Sequence, residues 1–208
     1  MKNICLINGS LRGKQASSLV FLNFINGMLP DTEYNKDIIN VRGRAKESYP
    51  EDTLETISRA DAMIMVFPLF TYGIPGALMR LLEDYCMYVR GHAYNRAVMV
   101  YLVVNCGFPR PEIMVELIRV TKNFCRKLSL NWRFAICMGG GPVAAMTMKV
   151  PLLSMKYKRA FSAIVADIGD GDIEKKEDYF IRPLIPEPVM LWIKAQYEKK
   201  MKAGAASK

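Results

Sequence analysis

The stretch Asn3-Ile-Cys-Leu-Ile-Asn-Gly-Ser-Leu-Arg-Gly-Lys-Gln-Ala-Ser-Ser18 decides how the rest of the chain is read. The apolar run Ile4 to Ile7 predicts a short strand buried on both faces. It breaks at Asn8-Gly9, where glycine permits a sharp turn. Ser10, Arg12, Ser17 and Ser18 follow, and then Leu19, Leu22, Ile25 and Leu29 recur at helical spacing. Strand, hydroxyl-rich basic loop and helix N-terminus together suit a phosphate group. Free helix N–H groups point into the loop, serine hydroxyls can donate, and Arg12 can bind two oxygens at once. The spacing excludes two common phosphate loops. The second glycine of G-x-G-x-x-G is missing, and Gln15 stands where the ATP-binding loop has its magnesium hydroxyl. Ser17 and Ser18 also suit a plain N-cap, and on these residues alone both readings stay open.

Working outward, the chain alternates strand and helix. Asp37–Val41 predicts a second strand and Glu51–Ser58 a short helix with Leu54 and Ile57 inward. Asp61–Phe67 is a continuous apolar run, read as a central third strand. It stops at Pro68-Leu-Phe-Thr-Tyr-Gly-Ile-Pro75, which neither a strand nor a helix accommodates in its middle. A helix with Leu78, Leu82, Tyr85 and Val89 follows, then a fourth strand at Ala97–Val104. The turn-rich Asn105-Cys-Gly-Phe-Pro-Arg-Pro111 leads into a helix carrying Ile113, Leu117, Val120 and Phe124. Trp132–Met138 is the fifth strand, closed by Gly139-Gly-Gly-Pro142. This alternation predicts a five-stranded parallel sheet with right-handed crossovers and helices on both faces. In the order 2-1-3-4-5 the loops after strands one, three and four become neighbours at the switch point, where such sheets take ligands.

At 208 residues the chain fits one α/β domain with additions, expected as a core over 1–145 and a helical extension over 146–208 packed on the same domain or on a dimer partner. No run of 18 apolar residues predicts a membrane span, and the immediate entry into a strand leaves no room for a signal peptide. Cys5, Cys86, Cys106, Cys125 and Cys137 lack C-x-x-C spacing and suit free thiols in a reducing cytoplasm. Metal ligation is unsupported, since no His/Cys/Asp cluster has ligand spacing. The net charge of +9 concentrates after residue 120, but no nucleic-acid module accompanies it. His92, the single histidine, lies after a helix, where a surface position suits it better than a base. In the tail, Pro151–Val165 reads as a helix, Asp167–Asp172 as an acidic turn, Arg182–Pro188 as an extended linker, and Val189 to about Met201 as an amphipathic helix.

Over roughly residues 1–140 the chain resembles the flavodoxin-like NAD(P)H-dependent FMN reductase family. INGSLRGKQASS is similar to that family's phosphate loop, G-S-x-R-x-x-S/G-x-[ST], with Ala16 in place of a common asparagine. PLFTYGIPGALMRLLEDY is similar to its flavin loop, and NCGFPRP to its third. The resemblance implies a three-layer α/β/α sandwich and an FMN site. Ser10, Arg12, Ser17 and Ser18 would hold the phosphate. Pro68, Leu69, Phe70, Tyr72 and Gly73 would wrap the ring, with Asn105, Cys106, Gly107 and Phe108 from the third loop. It further implies hydride transfer from NADPH or NADH through the flavin to a small acceptor (a quinone, an azo or nitro compound, or free flavin), with no catalytic side chain required. A homodimer is implied too, with the C-terminal extension as one place for its contact. A single-electron carrier and a non-flavin α/β binding module are the alternatives; the +9 charge speaks against the carrier, since flavodoxins of that kind are typically acidic.

Overall fold

The computed structural model describes residues 1–12, 16–43, 47–92, 98–170 and 177–183, together with Pro186, Pro188, Val189, Trp192 and Ala195. Strands β1 (Lys2–Asn8), β2 (Tyr34–Asn40), β3 (Ala62–Pro68), β4 (Met99–Asn105), β5 (Asn131–Met138) and β6 (Tyr179–Ile181) form one sheet in the order β2-β1-β3-β4-β5-β6. Every pair is parallel. Helices α1 (Ser17–Met28), α2 (Glu51–Arg59), α3 (Gly76–Gly91), α4 (Val115–Lys127), α5 (Gly141–Thr147) and α6 (Pro151–Asp170) cover both faces.

The apolar strand runs have this form because both faces are covered. Alternate residues of β1 go to opposite cores. Cys5 and Ile7 meet the layer of α2, α3 and α4, where Leu54, Leu78, Leu81 and Ile118 are buried. Ile4 and Leu6 meet α1, α5 and α6 through Phe21, Ile25, Phe161 and Ile164. A slip of one residue in β1 would exchange these two sets, so the register is set by burial on both sides.

The sheet has six strands where five were expected. Tyr179–Ile181 is too short to show a period, and distant residues hold it. Asp178 accepts the Ala135 N–H and the Lys122 ammonium, both at 2.8 Å, and the Gly139 N–H reaches the Ile181 carbonyl at 2.9 Å. The expected acidic turn at Asp167 is instead the last part of α6. Asp167 is fully buried, accepts both arms of Arg133 at 2.7 Å, and accepts the Tyr101 hydroxyl at 2.7 Å. Residue 145 lies inside α5, and Tyr157, Phe161 and Ile164 of α6 are buried with Ile4 and Leu6 of the sheet. The rest of the acidic turn, Gly171 and Asp172, lies outside the described residues. The final helix expected from Val189 also lies outside them, apart from Val189, Trp192 and Ala195, which are helical and exposed.

Candidate functional site

The parallel register brings the carboxyl ends of β1, β3 and β4 into one row, with Asn8 beside Val66 and Pro68 beside Asn105. Three loops rise from that row. The first opens at Gly9, whose N–H donates to the Val66 carbonyl at 2.9 Å. A Cβ here would lie 2.8 Å from both Phe67 Cβ and Leu78 Cδ2, so only glycine lets β1 pass so close to β3. Two side chains then shape the turn: Asn8 Oδ1 accepts the Ser10 N–H, and Ser10 Oγ accepts the Arg12 N–H, each at 3.2 Å. Asn8 is itself held, its Nδ2 donating to Asn40 Oδ1 at 2.9 Å.

The helix that follows begins without a side-chain cap. Ala16 occupies the cap position in extended conformation, and the first turn of α1 carries no acidic residue. Ser17 and Ser18 are therefore the first two helical residues rather than the cap. Ser17 is half-buried, whereas Ser18 is buried at the head of the stripe that α1 turns toward the sheet. Among the described residues four buried side-chain polar atoms lack a partner, and Ser18 Oγ is one of them. An uncapped helix start beside a buried unpaired hydroxyl is an environment that an anion would complete. Ser10 is fully buried in the same loop and Arg12 is exposed at its rim. Gly13, Lys14 and Gln15 lie outside the described residues.

The second loop is a strained tight turn. Phe70 and Gly73 exchange two backbone hydrogen bonds, at 3.1 and 2.8 Å, and the two residues between them have positive φ: Thr71 at 46° and Tyr72 at 62°. Neither is glycine, and a β-branched threonine in that region is costly. The turn pushes Phe70 and Tyr72 outward, 60% and 67% exposed, while Leu69 and Ile74 pack onto the core below. The Leu69 N–H donates to the Asn105 carbonyl at 2.8 Å, tying the second loop to the third.

The third loop rests on a glycine saddle. A Cβ on Gly139 would lie 2.2 Å from the Pro109 carbonyl oxygen, and one on Gly141 would lie 2.3 Å from Asn105 Nδ2. Gly140, with φ of +61°, donates its N–H to the Phe108 carbonyl, and Gly141 donates to that of Cys106, both at 2.7 Å. Asn105 is buried and its Oδ1 is a second of the four atoms without a partner. Cys106 is buried, with its thiol directed at the Phe108 carbonyl 3.3 Å away. Burial pushes the thiol pKa up against the opposing effect of backbone hydrogen bonds. Gly107 is exposed. Phe108, also exposed, lies nearly parallel to Tyr72, with ring centres 6.2 Å apart and planes at 22°.

Comparison with known proteins finds no matching family model and no matching curated protein. Solved structures do match. The apo form of an NADH:FMN oxidoreductase (EMOB) superposes with a TM-score of 0.62 at 13% identity, covering 84% of this chain and 92% of that one. The general stress protein 14 of Treponema denticola, in complex with FMN, gives 0.60 at 11%, covering 81% and 99%. An NAD(P)H:quinone oxidoreductase from Methanothermobacter marburgensis gives 0.54 at 13%, covering 84% and 98%. The chain has the flavodoxin-like fold.

Within this flavodoxin-like core the three loops singled out from the sequence rise from one row of strand ends, and the second and third are joined by Leu69 to Asn105 and by Tyr72 against Phe108. Not every residue expected there presents its side chain. Leu69 packs onto the core and the Cys106 thiol is buried against the Phe108 carbonyl, so neither side chain is presented by these loops. Asn8, Asn40 and the Gly139–Gly141 saddle shape these loops without being marked as site residues by the sequence pattern. A run of three glycines before a proline is the signal in the sequence that marks the saddle. His92 caps α3, stacked on Tyr88 with ring centres 4.3 Å apart and 3.6 Å from Glu51, on the side facing α2.

Proposed function

We propose that the three loops bind FMN and that the protein is an NAD(P)H-dependent oxidoreductase acting on a small acceptor such as a quinone, an azo or nitro compound, or free flavin. The observation that carries this reading is the pair of buried, unpartnered polar atoms, Ser18 Oγ in the first turn of α1 and Asn105 Oδ1 at the end of β4, on the edge of the sheet where the strands end. Buried polar groups are almost always paired in a folded protein, so two orphans in one candidate site speak for a ligand that completes them. The residues fit the group. Ser10, Arg12, Ser17, Ser18 and the start of α1 offer donors to a phosphate. Phe70, Tyr72 and Phe108 offer flat apolar surface to a ring, and the backbone of Pro68, Leu69, Gly73 and Asn105 to Gly107 would supply donors and acceptors for its polar edge.

When bound, the flavin supplies the chemistry: it accepts a hydride from the nicotinamide and passes it to the acceptor. The chain orients the partners and excludes water. The hydrogen-bonded pair Phe70 and Gly73 fixes the direction of Tyr72, and the glycine saddle fixes Phe108, so the two rings keep a common orientation. No side chain need move a proton for this scheme. A homodimer working in the cytoplasm is part of the same reading.

The test is spectroscopic. Purified protein mixed with FMN and freed of unbound flavin should keep flavin bands near about 450 nm, which bleach when NADPH or NADH is added without oxygen. Flavin that stays oxidised with both nucleotides would favour a single-electron carrier. Failure to bind FMN would end the flavin reading and leave the fold alone.

A further inference from the structure

α5 and α6 meet at a tight corner. The Thr147 carbonyl accepts the Val150 N–H at 2.9 Å, and the Val150 carbonyl accepts the Ser154 N–H at 3.0 Å. Pro151 opens α6, where its missing N–H leaves no helical bond unmade. The inner sides of the two helices form core, with Ala144, Met148, Tyr157 and Phe161 buried against the sheet. The outer side is apolar as well. Met146 is 66% exposed, Val150 44%, Leu152 75% and Met155 62%. The outward face of a surface helix is ordinarily polar, and four large apolar side chains so close together exceed the single ones that surfaces carry. The charges around them are of one sign. Lys149 lies in the corner and Arg159 one turn beyond Met155; both are exposed, and neither has an ion pair among the described residues. Lys156 donates to the Arg182 carbonyl, and the Lys158 ammonium stands 5.7 Å over the Phe24 ring. No acidic residue occurs from Leu117 to Ala166. α1, which packs beside both helices, carries no charge and exposes Val20.

We propose that this corner docks on an anionic membrane surface, its four apolar side chains entering the lipid interface inside a ring formed by Lys149, Lys156, Lys158 and Arg159. Charge complementarity selects that occupant. A second copy of the chain brings a net charge of +9, and residues 184–208 carry five lysines against two glutamates, so the corner repels both. The lysines also weigh against a protein partner, since lysine is depleted at protein interfaces. Apolar side chains edged by Lys and Arg are instead the makeup of helices that lie on membranes. Long basic side chains keep their stems on apolar surface while their heads reach the lipid phosphates. None of the described helices is long and apolar enough to cross a bilayer, so the contact is peripheral. At 1.5 Å per residue, Met146 stands about 8 Å along α5 from Gly141, whose N–H holds the third loop at the Cys106 carbonyl. Docking therefore brings that loop close to the headgroups. The corner uses none of the residues assigned to FMN, so docking does not depend on the flavin.

Flotation of the full chain with lipid vesicles tests this. The protein should float with vesicles of phosphatidylserine and phosphatidylcholine, stay behind with phosphatidylcholine alone, and be released as salt rises. Leu152→Ser combined with Met155→Ser should weaken binding about tenfold or more, and Lys149→Gln about fivefold. These changes fall on exposed side chains, so thermal unfolding should stay as in the parent chain. Lys127→Gln, exposed at the end of α4 on the other face of the sheet, removes the same charge and should leave binding unchanged. A chain that floats with neither vesicle would overturn the proposal, and its retention on polyglutamate would then assign the corner to an acidic protein. Vesicle binding that survives Leu152→Ser with Met155→Ser would also overturn it, because the lipid contact would lie on another surface.

Discussion

Replacing Ser18 with alanine should move stability and affinity in opposite directions. Ser18 Oγ is buried in the first turn of α1 with no partner among the described residues. A buried hydroxyl left unpaired costs about 1–3 kcal/mol relative to a satisfied one, so its removal relieves the ligand-free protein. The gain is offset in part by the small void left behind. A net stabilisation of about 1 kcal/mol is expected, or about 2–4 °C in Tm for a domain of this size. The same hydroxyl is placed to donate to an anion at the uncapped helix start. A hydrogen bond to a charged group is worth about 1.5–3 kcal/mol, so the FMN dissociation constant should rise about 10- to 100-fold. Ser17→Ala is the control. It makes the same change in helix propensity, about half a kcal/mol, at a half-buried position, and separates that effect from relief of the buried orphan. Urea unfolding without ligand and a fluorescence titration with FMN read the two quantities on the same preparations. A Ser18→Ala protein that loses stability while binding FMN normally would refute the reasoning, because Ser18 would then be ordinary core.

Three further outcomes are expected. Thr71→Gly removes a β-branched residue from positive φ and should raise stability by about 1 kcal/mol, while freeing Tyr72 and slowing acceptor reduction; unchanged thermal unfolding would show that the turn is not strained. Asp167→Asn leaves Arg133 buried without its counter-charge and should cost about 3–5 kcal/mol in urea unfolding, with FMN affinity retained wherever the variant is folded. Burial raises the thiols of Cys125 and Cys137 to about 12, so the stability they lend is complete below the unfolded thiol value and declines above it. In reducing buffer, unfolding free energy should fall from about pH 8.5 upward by about 1.4 kcal/mol per pH unit for each such thiol, and a flat profile to pH 10 would contradict that burial.

Much of the fold was legible because burial on both faces writes itself into a strand as a continuous apolar run. Ile4–Ile7, Met63–Phe67 and Val100–Val104 could be placed from that signal alone, and strand-helix alternation then required a parallel sheet. The loops of the candidate site were legible in outline for a related reason. Gly9, the Pro68–Pro75 segment and Asn105–Pro111 interrupt apolar runs with residues that only loops accept, and parallel topology puts such loops on one edge.

What the tertiary structure alone decided depends on contacts between residues far apart in the chain. β6 exists because Asp178 meets Lys122 and the Ala135 N–H, and three residues carry no pattern that could announce it. Asp167 is helical and buried because Arg133 and Tyr101 wait for it on neighbouring strands; by itself an aspartate near glycines reads as a turn. The Gly139–Gly141 saddle shows the same division. Its glycines were visible in the sequence, but the need for them arises from a loop that crosses within 2.2 Å of where a side chain would begin. Local composition determined the elements and the order of the layers. Close approach, ion pairing and the unpaired state of Ser18 and Asn105 are properties of pairs, and folding creates the pairs.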